Sequence, residues 1–450
     1  MAHEDHSGMR AQGGPDTLGD VVPFLRPING FSLWSRAVWG WALYDWANSA
    51  FATVVLAGFF PLLFHDFWNI GLSGAESNLR LGWINAVAGL GIALLAPVLG
   101  AVADRAGAKK RFLVVFMVLG VLATALLSSA PGGAWVPAAS LYICAMIGFA
   151  GANVFYDALL LAVAPPERWH FVSGLGFAMG YLGGGLLYLG CVLAALNPQA
   201  FGFADATAAA TTAFLATALW WGVFSIPLIL FVREPARAAR ARRRVWARGF
   251  AQLVETIRHL RTFRVVGIFL IAYWLYIDAV GTVIRMAVAY GRSLGFAQSE
   301  LIVALLITQF VGFPAAILFG WLGQRIGPRR GIYLGLLVYV GVCLWGALIR
   351  EPWEFFSIAV LVGLVQGGVQ ALSRSFYARL IPADAAGEFF GFYNLMGKFA
   401  VLIGPPLFGL FGVWFGNPRY SMLALILLLV AGGVLLARVH ESEAPARALR

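Results

Sequence analysis

The chain has 450 residues, of which 60% are hydrophobic and only 12% are charged, whereas soluble domains carry charge on about a quarter of their residues. A water-soluble fold could not bury that much apolar surface, so the composition excludes a soluble enzyme and predicts a chain whose solvent is mostly lipid. The net charge of +11 gives no support for nucleic-acid binding, because most basic residues fall in loops that the positive-inside rule assigns to the cytoplasm.

The N-terminal stretch and the cysteines exclude several further classes. Residues from Met1 to Arg36 are polar and lack a short apolar region ending at a cleavage site, so no cleavable signal peptide is expected. The three cysteines, Cys144, Cys191 and Cys343, lie inside apolar runs. They are interpreted as packing residues instead of disulfide partners or metal ligands. No cofactor and no metal are expected.

Twelve apolar runs of spanning length follow in chain order. In the first half they lie near 38–63, 82–103, 112–130, 136–163, 171–196 and 211–232. In the second half they lie near 265–290, 300–321, 331–349, 354–381, 388–414 and 420–438. The predicted organisation is an N-terminal tail at 1–36, a six-helix bundle at 37–232, a basic linker at 233–264, a second six-helix bundle at 265–439 and a C-terminal tail at 440–450.

The loop charges predict the orientation of the chain in the membrane. A basic cluster from Arg105 to Arg111 follows the second span, and the linker carries ten arginines, whereas the alternate loops carry few basic residues. Because Lys and Arg collect in cytoplasmic loops, both termini are predicted to be cytoplasmic. Without an organelle signal, a bacterial inner membrane is the expected location.

An internal repeat relates the two predicted bundles. The segment GAVADRAGAKKR at 100–111 recurs as GWLGQRIGPRR at 320–330. The two copies align Gly100 with Gly320, Arg105 with Arg325 and Gly107 with Gly327. Two parallel six-helix halves of this kind are typical of one large class of transporters.

The repeated loop resembles the signature loop of the major facilitator superfamily. Its glycines would let helices two and eleven approach closely, while Asp104 accepts hydrogen bonds from helix-terminal amides and neighbouring basic groups to latch the cytoplasmic face. The second copy has Gln324 in place of the acid, so a symmetric latch is not expected. The predicted cytoplasmic gate comprises Gly100, Asp104, Arg105, Gly107, Gly320, Arg325 and Gly327.

Longer strings narrow this resemblance. They are WALYDWANSAFATVV from Trp41, YIDAVGTVIRMA from Tyr276, and QGGVQALSRSFYARLIP with EFFGFYNLMGKFAVLIGP between Gln366 and Pro405. Together they are similar to the superfamily branch related to the fungal vacuolar amino-acid effluxers linked to autophagy. The resemblance implies an all-α membrane protein with twelve transmembrane helices in two pseudo-symmetric six-helix bundles, the major facilitator fold. It also implies a central cavity lined mainly by helices one, four, seven and ten.

Six charged residues lie inside the apolar spans and away from their ends, where an unpaired charge is costly and therefore indicates a transport pathway or an ion pair. They are Asp45, Asp157, Asp278, Arg285, Arg374 and Lys398. Most of them belong to the four helices that the resemblance assigns to the cavity. Polar residues accompany them at helical spacing, since Gln366, Gln370 and Arg374 recur every four residues. The predicted substrate or coupling-ion residues are Asp45, Asn48, Asn153, Asp157, Asp278, Arg285, Gln370, Arg374 and Lys398.

Two interpretations of these charges stay open. Acids and bases together suit a solute that carries both signs, such as an amino acid, and a buried aspartate such as Asp278 can carry a coupling proton. Alternatively, the charges pair with one another as gate salt bridges or folding contacts. The repeat places Asp157 opposite Arg374, which fits a split ligand clamp and a gate pair equally well.

The histidine positions and the lack of a phosphate-binding motif bear on two other possible functions, a membrane enzyme and an ATP-driven pump. The histidines fall in tails, loops or span ends, and the sequence has no GxxxxGK[ST] loop, so neither a membrane enzyme nor an ATP-driven pump is expected. The predicted function is a secondary active transporter that moves a small polar organic solute by alternating access, with amino acids and efflux favoured. Alternatives are a proton-coupled drug or metabolite exporter and a non-transporting receptor derived from a transporter. The expected partners are the lipid bilayer, the solute and protons, and a monomer is favoured.

Overall fold

The computed structural model describes residues 32–71, 74–234, 264–399 and 403–440, and within these ranges the chain forms helices and turns but no strand. Twelve helices, labelled α1 to α12, follow one another in these ranges, and α11 consists of two segments. The first six are α1 (Arg36–Trp68), α2 (Gly74–Ala106), α3 (Lys109–Leu127), α4 (Trp135–Val163), α5 (Trp169–Leu196) and α6 (Ala206–Phe231). The next six are α7 (Arg264–Ser293), α8 (Gln298–Ile326), α9 (Pro328–Gly346), α10 (Pro352–Leu380), α11 (Ala386–Phe399 and Gly404–Trp414) and α12 (Ser421–Ala437).

Each predicted span overlaps one of these helices. Eight of the described helices, α1, α3 to α8 and α10, are long and apolar enough to cross a membrane by length and composition alone. Helix α12 is apolar but shorter. Most of the predicted N-terminal tail, most of the basic linker and the C-terminal tail beyond residue 440 lie outside the described residues.

Local sequence signals explain where several helices begin. The Ser35 hydroxyl precedes α1 and accepts a hydrogen bond from Val38 N at 3.3 Å, and Asp205 accepts one from Ala208 N at 2.7 Å before α6. Such side chains satisfy amides that the first helical turn leaves without a backbone partner. Before α9, Gly327 has a φ of +87°, a conformation that glycine adopts without steric cost. The chain therefore turns sharply from α8 into α9.

Helix α11 differs from its prediction as one continuous span. The run at 388–414 contains two helical segments, and Pro405 and Pro406 stand at the start of the second. Proline has no amide hydrogen and disfavours a helical conformation in the residue before it, so it is tolerated at a helix start but interrupts a helix that would continue through it. The second segment therefore has N-terminal amides of its own, which need partners.

The helices pack as two halves, α1–α6 and α7–α12, that meet along two seams. In the first half α1 packs on α5 and α6, and α3 packs on α4; in the second half α7 packs on α12, and α10 packs on α8 and α9. Between the halves, α5 lies against α8 and α10, and α2 lies against α11. The seams are related by the repeat, because α2 corresponds to α8 and α5 corresponds to α11.

Glycines bring the backbones of the two halves together. A methyl group on Gly174 of α5 would lie 2.6 Å from the carbonyl oxygen of Ala316 and 2.9 Å from Cα of Gly320 on α8. A methyl group on Gly100 of α2 would collide with the carbonyl of Gly387 on α11. Small residues of this kind permit the close approach of membrane helices. Both seams therefore depend on positions without side chains.

The two halves are joined near one face of the membrane. We call this the basic face, and it carries Arg36, Lys109, Arg168, Arg325 and Arg379. Among the described residues, hydrogen bonds between the halves extend from the membrane middle, where Gln309 Nε2 donates to Thr53 Oγ1 at 2.9 Å, to the basic face, where Gln324 Nε2 donates to Glu167 O at 3.1 Å. The protein is therefore closed at the basic face.

Candidate functional site

A buried cluster of opposite charges lies between the halves on the basic-face side of the membrane middle. Arg374 of α10 places Nη1 3.1 Å from Asp157 Oδ1 on α4 and 3.8 Å from Asp45 Oδ2 on α1. Arg374 is 2% exposed, and each aspartate is 8% exposed. The structure thus brings together three of the predicted site residues from three different helices.

The rest of the Arg374 side chain is also surrounded by residues of the first half. Its Nε donates to Ser173 Oγ and its Nη2 donates to Ser173 O, both at 2.9 Å. The guanidinium carbon lies 4.4 Å from the ring centre of Phe177, 4.9 Å from that of Trp41 and 5.4 Å from that of Tyr156. We call this enclosure the arginine pocket, formed by Trp41, Asp45, Tyr156, Asp157, Ser173 and Phe177.

The pocket walls are held by bonds that do not involve Arg374. Asp45 accepts hydrogen bonds from Tyr156 Oη and Ser49 Oγ, each at 3.1 Å. Trp41 Nε1 donates to Tyr156 O at 3.0 Å, and the two rings stack with centres 4.4 Å apart. Asp157 differs, because its second oxygen accepts from Asn394 Nδ2 of α11 at 3.0 Å. Asp45 is therefore oriented within the first half, whereas Asp157 takes both polar partners from the second half.

The charge balance of this cluster defines what it can do chemically. Two carboxylates share one guanidinium among the described side chains, and a buried carboxylate without a counter-charge costs several kcal/mol. The cluster can therefore take up a proton or another cation. Any movement that withdraws Arg374 increases that demand, because both carboxylates then lose the same partner.

A layer of amide side chains lies beside the cluster, toward the membrane middle. Asn48 Nδ2 of α1 donates to Asn153 Oδ1 of α4 at 2.5 Å. On α10, Gln370 lies one turn from Arg374, and Gln366 lies a further turn away, with a buried Oε1 that has no hydrogen-bond partner among the described residues. Amides offer donors and acceptors without charge, so this layer can bind polar groups of a solute.

Asp278 and Arg285 form a second polar centre, inside the second half. Asp278 is fully buried, and its Oδ2 accepts from Gly404 N at 2.9 Å and from Ile403 N at 3.2 Å. Thr282 Oγ1 donates to the other oxygen at 3.4 Å, and Arg285 Nη2 lies 3.9 Å from it. The carboxylate thus caps the second segment of α11, where the N-terminal amides favour negative charge.

The predicted gate residues lie at the basic face, along the two seams. Asp104 Oδ2 accepts from Glu388 N of α11 at 2.8 Å, and Lys109 Nζ lies 2.8 Å from its other oxygen. Gly107 has a φ of +57° where α2 ends. In the second copy, Arg325 lies over the Trp321 ring at 5.2 Å. The described side chains include neither Arg105 nor Lys398. The roles predicted for these two residues, and for the other gate and site residues, stay predictions.

Several cluster residues were absent from the predicted set. Ser173 and Phe177 belong to α5, which the resemblance did not assign to the cavity, and Asn394 belongs to α11. His170, 1% exposed, adds a further bond between the halves through Nδ1 and Ser375 Oγ at 2.7 Å. Their contacts depend on how the halves meet. A spacing signal within one helix could not have identified them.

Comparison with known proteins decides the family. A family model described as "Vacuole effluxer Atg22 like" matches residues 83–169 and 165–448, which is most of the chain. The chain belongs to the Atg22-like family. This Atg22-like protein is 39% identical over 403 residues to "Uncharacterized MFS-type transporter YxiO" of Bacillus subtilis (strain 168), covering 89% of this chain and 94% of that relative.

Fungal relatives are more distant and longer. Identity to "Autophagy-related protein 22" of Coccidioides immitis (strain RS) is 26% over 306 residues, covering 62% of this chain and 50% of that protein. The Atg22-like chain thus spans about half the length of the fungal relatives it matches.

Solved structures with the same fold are major facilitator transporters. The proton:xylose symporter XylE, bound to a bromodeoxyglucose, superposes with a TM-score of 0.69 at 13% identity, covering 90% of this chain and 94% of XylE. FucP in the outward conformation superposes with a TM-score of 0.65 at 13% identity, covering 90% and 98%. The predicted twelve-helix major facilitator fold is confirmed. The Atg22-like protein is a multi-pass secondary transporter, not an enzyme.

Proposed function

We propose that this transporter moves a small polar organic solute, with amino acids as the expected class, by alternating access of its two six-helix halves. The observation that carries the proposal is the Arg374 ion pair. A base from the second half is held by two acids of the first half, at the end of the interface that is closed. Because this ion pair joins the two halves, it must break when the halves separate, and it therefore links their movement to the charge of the site.

The mechanism follows from what the closed interface contains. Opening the basic face separates α5 from α8 and α10, and α2 from α11, and it withdraws Arg374 from Asp45 and Asp157. Two buried acids without a counter-charge are unfavourable. Uptake of a proton or of a cationic group of the solute offsets that cost, so we propose protons as the coupling ion.

The proposed solute site combines the charges with the amide layer. An amino acid carries an ammonium and a carboxylate, which bind oppositely charged side chains through charge-assisted hydrogen bonds. Asp45 and Asp157 suit the cationic group of the solute, and Arg374 or Arg285 suits the carboxylate when it is withdrawn from its present partner. The amides that would complete the site are Asn48, Asn153 and Gln370.

The proposed orientation places the basic face in the cytoplasm of a bacterium. The support is the concentration of Arg and Lys at this face and the bacterial relative. Helix bundles at 37–232 and 265–439, cytoplasmic termini and a monomeric transporter are part of the same proposal. Efflux is the favoured direction because the matching family is described as a vacuole effluxer.

Proteoliposomes containing the purified protein test this function. We expect amino-acid counterflow in the wild type and net flux driven by a pH gradient. Asp157→Asn is expected to retain part of the counterflow but to lose most of the gradient-driven flux, because the amide cannot exchange a proton. Failure of every amino acid to exchange under any gradient would contradict the amino-acid proposal, and would favour a drug or metabolite exporter or a receptor.

A further inference from the structure

The arginine pocket has the acids, neutral acceptors and aromatic rings needed to bind a cation, and all of its residues belong to the first half of the protein. Its acids are Asp45 of α1 and Asp157 of α4, its neutral acceptors are both oxygens of Ser173 on α5, and its rings come from the same three helices. The occupant, Arg374, comes from the other half. The receptor and its occupant therefore belong to bodies that move apart during alternating access.

The chemistry of the walls favours an organic cation. Two carboxylates supply charge, and three aromatic rings within 5.4 Å of the guanidinium carbon offer the negative faces that attract cations. An inorganic ion would bind mainly to the oxygens, whereas a planar organic cation can also pack against the rings. The rings and acids together match the aromatic enclosures by which proteins bind alkylammonium and guanidinium groups.

The positions of the acceptors favour guanidinium over ammonium. Nε and Nη2 of Arg374 both bond to Ser173, while Nη1 bonds to Asp157. This uses three nitrogens of a planar group whose faces remain available for the rings. A compact ammonium cannot reach the same acceptors while lying flat on an aromatic ring.

We infer that the arginine pocket is a binding site for the guanidinium group of an organic solute, and that Arg374 is the built-in occupant that fills it while the basic face is closed. The inference rests on the proposed alternating-access function. When Arg374 withdraws with the second half, the pocket opens to the compartment at the basic face. A solute cation from that compartment then replaces Arg374, which favours the open state by mass action.

Competition between the two occupants gives a direct test. Ethylguanidinium binding to the purified, full-length protein is measured by titration calorimetry, with ethylammonium and neutral N-ethylurea as matched probes. In the wild type, ethylguanidinium can bind only while Arg374 is out of the pocket, so its apparent affinity is reduced in proportion to the fraction of time that the pocket is free. Arg374→Ala removes this competition and is expected to bind ethylguanidinium at least about tenfold more tightly than the wild type. Ethylammonium should bind Arg374→Ala more weakly than ethylguanidinium does, and N-ethylurea should not bind detectably.

Two further variants keep this test decisive. Adding Asp157→Asn to Arg374→Ala is expected to remove most of the gained affinity, and adding Phe177→Leu is expected to weaken the binding of both cations. Correct folding is checked for each variant by its elution as a single sharp peak in size-exclusion chromatography. If folded Arg374→Ala gains no affinity, or binds N-ethylurea as well as ethylguanidinium, the inference is overturned.

Opening of the basic face can be measured separately, by the alkylation of a cysteine that is buried in the closed state. Ser375 is fully buried and contacts His170 across the halves, so Ser375→Cys, in a chain with Cys144, Cys191 and Cys343 replaced by serine, reports opening by its rate of alkylation. Ethylguanidinium at the basic face should accelerate that alkylation, and an unchanged or slower rate would contradict the exchange of occupants.

These results are separable from those that test the proposed function. Amino-acid counterflow without any guanidinium binding would remove only the present inference. Guanidinium binding without flux of any solute would leave the pocket in place and would overturn the transport proposal.

Discussion

The two polar centres of the protein have similar chemistry but different positions. At the first, Arg374 joins the second half to Asp45 and Asp157 of the first. At the second, Asp278 and its partners lie within the second half, where the carboxylate caps the interrupted α11. A charge pair between bodies must break when the bodies separate, whereas a pair within one body moves with it. We therefore expect the Arg374 centre to change its contacts during transport, and we call it the switch. We expect the Asp278 centre to stabilise the second half without changing its contacts, and we call it the brace.

Removing the positive charge of Arg374 is expected to have the largest effect on transport. Arg374→Gln leaves two buried acids without a counter-charge, and breaking a buried pair in this way costs about 3–5 kcal/mol. Net solute flux in proteoliposomes should fall by about a hundredfold or more. The matched control is Arg350→Gln, which changes an exposed arginine before α10. Equal flux in the two variants would show that the Arg374 pair is not part of the transport cycle.

A change at the α5–α8 seam tests whether the switch depends on close backbone contact. In Gly174→Ala the new methyl group would meet the Ala316 carbonyl at 2.6 Å, and overpacking of this kind costs about 1–3 kcal/mol. The closed state should lose stability, and Ser375→Cys should be alkylated about tenfold faster.

Gly190→Ala is the control for that seam. Gly190 lies on the same helix, and apart from the backbone of that helix no atom of the described residues lies within 4 Å of the added methyl. If both alanine variants label at the wild-type rate, close packing at this seam does not hold the basic face closed.

The brace is expected to affect stability more than transport. Asp278→Asn retains an oxygen for the α11 amides but loses the negative charge that their dipole favours, at a cost of about 1 kcal/mol. We expect a lower melting temperature, with counterflow and gradient-driven flux both retained. Loss of gradient-driven flux with counterflow intact would instead identify Asp278 as the proton carrier, and the contrast between brace and switch would fail.

The sequence was sufficient for the fold because lipid imposes strong constraints on it. Apolar runs, loop charges and the repeat at 100–111 and 320–330 each report on helices as separate units, and all twelve predicted spans overlap observed helices. The break in α11 was less visible, because the run at 388–414 is apolar throughout most of its length and was predicted as one continuous span. Sequence patterns describe one helix at a time, so they do not show which side chains of different helices come into contact at a site.

The sequence therefore placed the predicted site residues on their helices, but it identified few of the contacts that they make between helices. The spacing within α10 identified Gln370 and Arg374 as one stripe, and the repeat paired Asp157 with Arg374, which the structure places 3.1 Å apart. Sequence gave no reason to separate Asp278 from that pair. Ser173 and Phe177 were missed because their contacts arise only where α5 meets α10. The assignment of all these residues to substrate or ion stays a prediction.

The smallest expected effect concerns the amide layer, which belongs to neither centre. Asn48→Ala removes one hydrogen bond to Asn153, and a neutral hydrogen bond contributes about 0.5–1.5 kcal/mol. If the layer contacts the solute, the solute concentration for half-maximal flux should rise about threefold to tenfold while the maximal rate changes little. Asn197→Ala, in an exposed loop after α5, is the matched control. A fall in the maximal rate alone would place Asn48 with the switch, since it would affect the movement of the halves and not the binding of the solute.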